Sequence, residues 1–268
     1  MSDWNDVYDR KGEYHGTYKE ETFEDPKFQR LLFSVKNVKP RVKISMGNTK
    51  LGVLPNFNLP ARSFILNGQR VVTCPGASLL CRRVCYAQKG QYVVNEWVPI
   101  NYAANYLASL EPDFVEAMVR EIGKAEDEAV KIWKSEYGEL KYKKERIPRL
   151  FRLHVSGDFY SPEYARKWLE IGERMPDTTF YVYTKAWITF KDDRDTADVG
   201  MTAAEVNELN AKIMDVLKLV NELPNFQVLL STDDTTGPVP PELLDQGFKE
   251  AGIGFTYAKR EGRPDSQC

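Results

Sequence analysis

The sequence lacks most of the features that identify an enzyme at first sight. It has only 2 histidines and 4 cysteines among its 268 residues. It contains no G-x-G-x-x-G motif, no P-loop lysine and no defensible serine, histidine and aspartate signature of a hydrolase. The sequence therefore offers no support for hydrolase or nucleotide-kinase activity.

Long apolar runs and a large charge excess are also absent. Residues 1–26 contain neither an apolar run nor a small-residue cleavage site, and no later segment has the length and hydrophobicity of a membrane span. We therefore expect a cytoplasmic protein without a membrane partner. The formal net charge is -2, which does not indicate nucleic-acid binding, so any contact with a phosphate backbone would have to be local.

The composition is that of a folded globular protein. Hydrophobic residues make up 42% and charged residues 28% of the chain, which is ordinary for a protein with a packed core. Residues 1–40 are polar and aromatic, and we predict that they form an N-terminal arm with little regular structure. Residues 41–268 are predicted to form one α/β domain, with a cysteine loop at residues 74–85.

Local patterns predict the elements of this domain. Asn67 and Gly68 separate two β-rich runs within residues 63–72, which is a strong hairpin signal. Two helices are expected between residues 101 and 137. Beyond them the expected strands are 150–155, 179–184, 226–230 and 253–257, and the expected helices are 163–174, 203–223 and 241–251.

This alternation predicts a mostly parallel sheet with crossover helices. The strand segments FRLHV, FYVYT and FQVLL show little strict alternation of apolar and polar residues, so we expect both faces of the sheet to be covered. The predicted architecture is a partial or open (β/α) barrel whose sheet has about five or six strands. A doubly wound sheet would produce the same linear pattern.

Polar residues follow the ends of three predicted strands, at the edge where parallel sheets bind their ligands. These segments are 156–158, 184–187 and 231–234. The candidate catalytic residues near them are His154, Asp158, Lys185 and Asp233. Each also has a structural interpretation. His154 could be a core histidine, Asp158 and Lys185 could form an ion pair, and Asp233 could lie in a solvated turn.

Three of the four cysteines lie close together in the run TCPGASLLCRRVCYA. Cys74, Cys81 and Cys85 have the spacing C-x6-C-x3-C, so their thiolates could converge on a metal without help from distant parts of the chain. Zinc prefers four ligands and pairs such as C-x2-C, whereas cuboidal iron–sulfur clusters tolerate irregular spacing and can use three local cysteines with a remote fourth ligand. The spacing therefore favours a [4Fe-4S] cluster, with zinc and three buried free thiols as alternatives.

Two further features bear on this metal site. Arg82 and Arg83 lie between the second and third cysteines, where positive charge would lower the thiol pKa values and balance an anionic cluster. Cys268 is the last residue of the sequence and could be the fourth ligand if the tail folds back to the loop. Ligation by four cysteines would close the site, whereas a mobile tail would leave one iron open.

Six motifs are spread along the chain. They are NTKLG at 48–52, NLPA at 58–61, TCPGA at 73–77, CYA at 85–87, RLHVSGDFYSPEY at 152–164 and YVYTK at 181–185. Together they resemble the bacteriophage gene product 88 domain family, from about residue 43 to residue 257. That family occurs in phages and their actinobacterial hosts, so the resemblance implies a phage-encoded protein in the cytoplasm of the host cell. It implies no particular reaction.

The cysteine loop and the turn at 156–158 are also distantly similar to the layout of radical S-adenosylmethionine barrels. In those proteins three cysteines bind three irons of a [4Fe-4S] cluster, and a glycine-rich turn after the second strand binds the methionine moiety. The resemblance implies that Ser156, Gly157 and Asp158 form a cofactor-binding turn for S-adenosylmethionine. The spacing departs from the C-x3-C-x2-C of that superfamily, which counts against use of this cofactor.

We therefore expect an iron–sulfur protein with three competing roles. It could be a redox or radical enzyme that binds an unknown small molecule against the cluster. It could instead be a regulatory or interaction protein with a host protein as its partner, in which the cluster organises the loop. In the third role the metal is structural zinc.

Overall fold

The protein is described from a computed structural model, which covers residues 4–8, 14–19, 34–48, 52–85, 87, 95, 97–135 and 149–252. The strands are β1 Trp4–Tyr8, β2 Tyr14–Lys19, β3 Ser34–Val35, β4 Ile44–Asn48, β5 Gly52–Phe57, β6 Ser63–Leu66, β7 Gln69–Val72, β8 Leu150–Leu153, β9 Thr179–Thr184, β10 Phe226–Thr232 and β11 Lys249–Gly252. The α-helices are α1 Leu79–Val84, α2 Trp97–Leu110, α3 Phe114–Trp133, α4 Pro162–Arg174, α5 Ala203–Glu222 and α6 Pro241–Asp245. Short 3-10 turns occur at Asp193–Asp195 and Ala197–Val199.

A six-stranded, mostly parallel sheet has the strand order β4-β5-β8-β9-β10-β11. Strands β5, β8, β9, β10 and β11 are parallel, and β4 is antiparallel to β5 at one edge. The predicted α/β class and the mostly parallel sheet are confirmed. Within the described residues the parallel strands follow chain order in an open sheet. Among the described strands the order does not reverse as in a doubly wound fold, and β4 does not pair with β11 to close a barrel.

Two smaller sheets contain the other strands. β1 and β2 pair antiparallel, within the segment for which we predicted little regular structure. β3 pairs with β6, and β6 pairs with β7. The predicted hairpin is confirmed. Asn67 and Gly68 join β6 to β7 with positive φ angles of 50° and 85°, as a tight type I′ turn requires.

Helices cover one face of the central sheet. The two predicted helices of the middle region are α2 and α3, and α3, α4 and α5 pack in chain order beside the strands. Phe57, Leu153, Val182 and Val228 occupy neighbouring positions on the covered face and are fully buried. Trp168 of α4 packs against the Phe57 ring at a centroid distance of 5.7 Å. Among the described helices, none combines the length and hydrophobicity that a membrane span needs.

The opposite face of β9 and β10 is less covered than we predicted. Phe180 and Val182 are buried, whereas Tyr181 between them is half-buried and Tyr183 is 38% exposed. The prediction that both faces are covered is therefore wrong for β9. The alternation of buried and exposed positions in FYVYT was not visible in the sequence, because tyrosine counts as apolar in a hydrophobic pattern although its hydroxyl can face water.

The last described elements also differ from the prediction. The helix expected at 241–251 ends at Asp245, because Gly247 adopts a φ of 84° that a helix cannot continue through. Residues 249–252 instead form β11, which pairs with β10. The strand predicted at 253–257 lies outside the described residues.

Candidate metal centre

The cysteine loop lies against the carboxyl edge of the central sheet. It begins after β7 at Thr73, whose main-chain N–H donates to the Arg62 carbonyl at 2.7 Å. The Thr73 carbonyl accepts the N–H of Asp158 at 3.0 Å. Cys74 therefore starts its loop beside the turn that follows β8, so two distant motifs of the sequence are joined by a main-chain hydrogen bond.

Gly76 brings the same loop against the end of β9. A Cβ atom at Gly76 would lie 2.6 Å from the carbonyl oxygen of Lys185, a distance that a real side chain does not tolerate. The contact is with the main chain of Lys185, which cannot swing away as a side chain could. Glycine is therefore required for the loop to approach β9 this closely.

Helix α1 fastens the loop to the end of β10. Ser78 is its N-cap, because the Ser78 Oγ accepts the N–H of Cys81 at 3.1 Å. The same hydroxyl donates to Asp233 Oδ2 at 2.5 Å. The Leu80 N–H donates to Thr235 Oγ1 at 3.2 Å. The position of Cys81 thus depends on the turn that follows β10.

Cys74, Cys81 and Cys85 are half-buried and form no disulfide within the described residues. The Sγ of Cys74 accepts the main-chain N–H of Arg62 at 3.2 Å. Burial raises the pKa of Cys74 well above its usual range, and the charges of Asp158 and the other two thiols raise it further. The thiols of Cys81 and Cys85 therefore lie near Cys74 and disfavour its ionisation.

Cys81 has cationic neighbours that differ from the prediction. Burial, together with the nearby thiol of Cys85, raises the pKa of Cys81 to about 12, and Lys185 and Arg62 oppose this rise. We expected Arg82 and Arg83 in that role. Arg82 is instead buried, and its carbonyl accepts a hydrogen bond from Arg62 Nη1 at 2.9 Å, while the Arg83 side chain lies outside the described part of the chain.

Among the described residues, no group of three or more His, Cys, Asp or Glu side chains is placed to hold a metal ion. Cys268, the predicted fourth ligand, lies outside the described residues.

The predicted residues Asp158, Lys185 and Asp233 meet in one buried network. The Lys185 Nζ lies 2.8 Å from Asp233 Oδ2, and their side chains are only 6% and 2% exposed. The main-chain N–H of Lys185 donates to Asp158 Oδ2 at 2.9 Å, and the Thr184 hydroxyl donates to Asp158 Oδ1 at 2.8 Å. The predicted ion pair between Asp158 and Lys185 is therefore wrong. The Lys185 ammonium group pairs with Asp233 instead.

The two carboxyl groups of this network have opposite pKa shifts. Burial raises the pKa of Asp158 to about 6, although hydrogen bonds from Lys185, Thr184 and Phe159 oppose the rise. Burial also acts to raise the pKa of Asp233, but hydrogen bonds from Lys185 and other donors prevail and lower it to about 2. Asp233 is therefore ionised at neutral pH, and it is not the solvated turn residue that we weighed as an alternative.

His154 is a buried core residue, as its structural interpretation predicted, but its Nδ1 has no hydrogen-bond partner within the described residues. Its Nε2 lies 2.9 Å from the Tyr164 hydroxyl, and its ring meets the Phe159 ring edge-on at 4.9 Å. Burial lowers the pKa of His154 to about 3, so the ring is neutral at physiological pH. This environment suits packing better than proton exchange with solvent.

Ser156 and Gly157 form the turn that was predicted to bind a cofactor. Gly157 has a φ of 83°, and a Cβ atom there would lie 2.5 Å from Leu59 Cβ. The Ser156 carbonyl accepts the Leu59 N–H at 3.0 Å, so the turn packs tightly on the loop after β5. The buried Ser156 Oγ has no hydrogen-bond partner within the described residues, which suits a contact with a ligand.

Sequence reasoning missed residues that hold this site together. Ser78 could have been found, because a serine directly before an apolar helical run is an N-cap signal. Arg62 carried no such signal, because its φ of 58° and its contact with Cys74 exist only in the folded chain. Gly76 was visible only as a turn residue.

These observations define a mixed α/β protein in which a loop with three cysteines is fastened across the carboxyl edge of a mostly parallel sheet. The family model described as Gene product 88 matches residues 31–264, and the chain belongs to that family. The Gene 88 protein of Mycobacterium phage L5 is 30% identical over 219 residues, which cover 80% of this chain and 71% of the relative. The Gene 88 protein of Mycobacterium phage D29 is 29% identical over 226 residues, with the same coverage. No solved structure matches the chain.

Membership of this family confirms the resemblance that the six motifs indicated. The named relatives are bacteriophage proteins, which supports the prediction of a viral protein. The comparisons give no support to the more distant resemblance to radical S-adenosylmethionine barrels.

Proposed function

We propose that Cys74, Cys81 and Cys85 bind an iron–sulfur cluster, of the [4Fe-4S] type, at the carboxyl edge of the sheet. The observation that supports this proposal is that three half-buried cysteines on one loop form no disulfide with one another, and that Cys81 and Cys85 lie near enough to Cys74 to raise the pKa of its thiol. Such thiols ionise only with a compensating cation, and iron would supply it. A bound cluster would supply one-electron transfer or a fixed anionic centre.

The surroundings of the thiols support an anionic cluster. Lys185 and Arg62 are the cations that act on Cys81, and the Arg62 N–H already donates to the Sγ of Cys74. Positive charge and N–H donors directed at cysteine sulfur stabilise the reduced and oxidised clusters to different degrees and so adjust their potential. These residues would therefore determine the potential of the cluster.

The packing of the strand ends favours a regulatory or interaction role over catalysis. The predicted catalytic residues Asp158, Lys185 and Asp233 are buried and hydrogen-bonded to one another or to the main chain. A substrate would have to displace these partners. In this role the cluster organises the loop, and the partner is a host protein in the cytoplasm of the infected cell.

Single substitutions of Cys74, Cys81 and Cys85 by Ala test the cluster. We expect each variant to lose most of its iron and sulfide, because each removes one bond and the local geometry of the site. Iron and sulfide analysis and visible absorption after anaerobic purification measure the loss. Colourless wild-type protein with stoichiometric zinc would favour structural zinc, and unchanged iron in all three variants would refute the site.

A redox or radical enzyme is the second candidate. The raised pKa of Asp158, about 6, is suited to proton transfer near neutral pH, and the Ser156 hydroxyl is available to a ligand. If one iron is open, S-adenosylmethionine should perturb the electron paramagnetic resonance spectrum of the reduced cluster. An unperturbed spectrum at saturating cofactor would leave the regulatory role.

A further inference from the structure

The face of the central sheet opposite the helices carries an unusual set of side chains on β8 to β11. Strand register places Arg152, Tyr181 and Gln227 side by side in one row. The next row contains Tyr183, Leu229 and Lys249. We call these two rows the open face. Neither row contains a carboxylate, although the whole protein has 39 acidic residues and a net charge of -2.

The aromatic rings of the open face lie beside a cation. The Tyr181 and Tyr183 rings are perpendicular, with centroids 6.0 Å apart. The guanidinium carbon of Arg152 lies 5.9 Å from the Tyr181 centroid and 5.3 Å from the Tyr183 centroid. The Arg152 Nε is buried and has no hydrogen-bond partner among the described residues. A half-buried cation thus stands next to two rings that solvent can reach.

A parallel sheet is normally covered on both faces, so the 38% exposure of Tyr183 leaves the open face accessible to an occupant from outside the described residues. The occupant must tolerate two rings, an amide and two cations. Single-stranded nucleic acid has this chemistry, because its bases stack on aromatic rings and its phosphates pair with arginine and lysine. The overall charge of the protein is negative, so such binding has to rely on a local surface of this kind.

We propose that the open face binds single-stranded nucleic acid, with bases stacked on Tyr181 and Tyr183 and phosphates held by Arg152 and Lys249. Gln227, in the same row as Tyr181, takes no part in this contact, because its Nε2 already donates to Asn221 Oδ1 at 3.2 Å. This activity is independent of the cluster, because the open face and the cysteine loop involve different residues.

Fluorescence anisotropy with a labelled oligothymidylate of about 12 nucleotides tests the proposal on the full chain. We expect Tyr183→Leu and Tyr181→Leu each to weaken binding about fivefold or more, because a leucine cannot stack on a base. Tyr183→Phe keeps the ring and should retain wild-type affinity. Trp97→Leu, which removes an exposed ring on α2, should change nothing. Thermal unfolding of each variant verifies that it is folded.

The salt dependence of binding distinguishes phosphate contacts on the open face from non-specific attraction by charges elsewhere on the protein. Lys249→Gln should reduce the slope of log affinity against log salt by about one, whereas Lys212→Gln on α5 should leave it unchanged. The proposal is overturned if no binding is detected or if duplex DNA binds as tightly as the single strand. It is also overturned if Tyr183→Leu binds like the wild type, or if wild-type protein dimerises through this face and the variant does not.

Discussion

At the scale of single residues, Asp233 connects the metal site to the sheet. Its Oδ2 accepts hydrogen bonds from Lys185 Nζ and Ser78 Oγ, and its Oδ1 accepts one from Thr235 Oγ1. The carboxylate therefore balances a buried ammonium group and holds the cap of the helix that carries Cys81. Removing its charge would affect both functions.

Asp233→Asn should lower the free energy of unfolding by about 3 to 5 kcal/mol, because it leaves the Lys185 ammonium buried without its counterion. Adding Lys185→Met should restore part of the loss, since the methionine carries no charge to compensate. Chemical denaturation followed by circular dichroism measures these values. Glu208→Gln is the control, because it breaks the exposed pair with Lys212 and should cost far less. Equal costs for the two variants would contradict the structural importance of the buried pair.

His154 should make the protein sensitive to acid. Its pKa is about 3 in the folded protein and 6.5 when unperturbed, so between these values only the unfolded state takes up the proton. The His154 contribution to stability is complete above pH 6.5, and it falls by about 1.4 kcal/mol for each pH unit down to pH 3.

His154→Asn tests this acid sensitivity, because asparagine tolerates the φ of 54° at this position. The variant loses ring contacts at every pH, so the informative quantity is the change with pH. We expect the wild type to lose more stability than the variant between pH 7 and pH 4.5, as measured by denaturant unfolding. Asp158 acts in the opposite direction in both proteins, because its pKa is raised. Parallel pH profiles would show that the pKa of His154 is the same in the folded and unfolded states.

At the scale of elements, α1 is too short to be stable by itself. It has 6 residues, whereas isolated helices of fewer than about 12 are marginal in water. It depends on its cap at Ser78 and on its contacts with the turn after β10. Helix formation and the position of Cys81 are therefore coupled to the sheet.

Ser78→Ala should lower the stability of the protein by about 1 kcal/mol through loss of the cap, and it should also reduce the iron retained after purification. Thr202→Ala is a matched control. It removes the N-cap of α5, in which Thr202 Oγ1 accepts the Glu205 N–H at 3.2 Å, at a similar cost in stability. Iron per chain should fall only in Ser78→Ala. Equal iron loss in both variants would mean that the effect reflects general stability.

At the scale of the whole molecule, the remaining question is whether the tail contributes a ligand. Cys268→Ala should lower cluster retention and convert part of the population to a three-iron form, if a distant fourth thiolate closes the site. Electron paramagnetic resonance and iron analysis under controlled exposure to oxygen measure this. An unaltered spectrum and unaltered oxygen sensitivity would refute four-cysteine ligation and favour an open iron.

Much of the fold could be predicted because its signals are local. The Asn67-Gly68 turn, the helices α2 to α5 and the three strands β8, β9 and β10 follow from patterns within a few residues. The exact end of α6 and the presence of β11 could not, because pairing with β10 competes there with a weak helical pattern. The exposure of Tyr183 was not predicted either, because the sequence alone does not show which elements pack on each face of the central sheet.

The sequence by itself determined the three clustered cysteines, the α/β alternation and the polar residues at the strand ends, because each is a property of composition or of short spacing. Only the tertiary structure decided which groups meet. It paired Lys185 with Asp233 rather than Asp158, and it brought Arg62 to Cys74. Such contacts join residues far apart in the chain, and their energies depend on burial and distance, which exist only after the strands have assembled into a sheet.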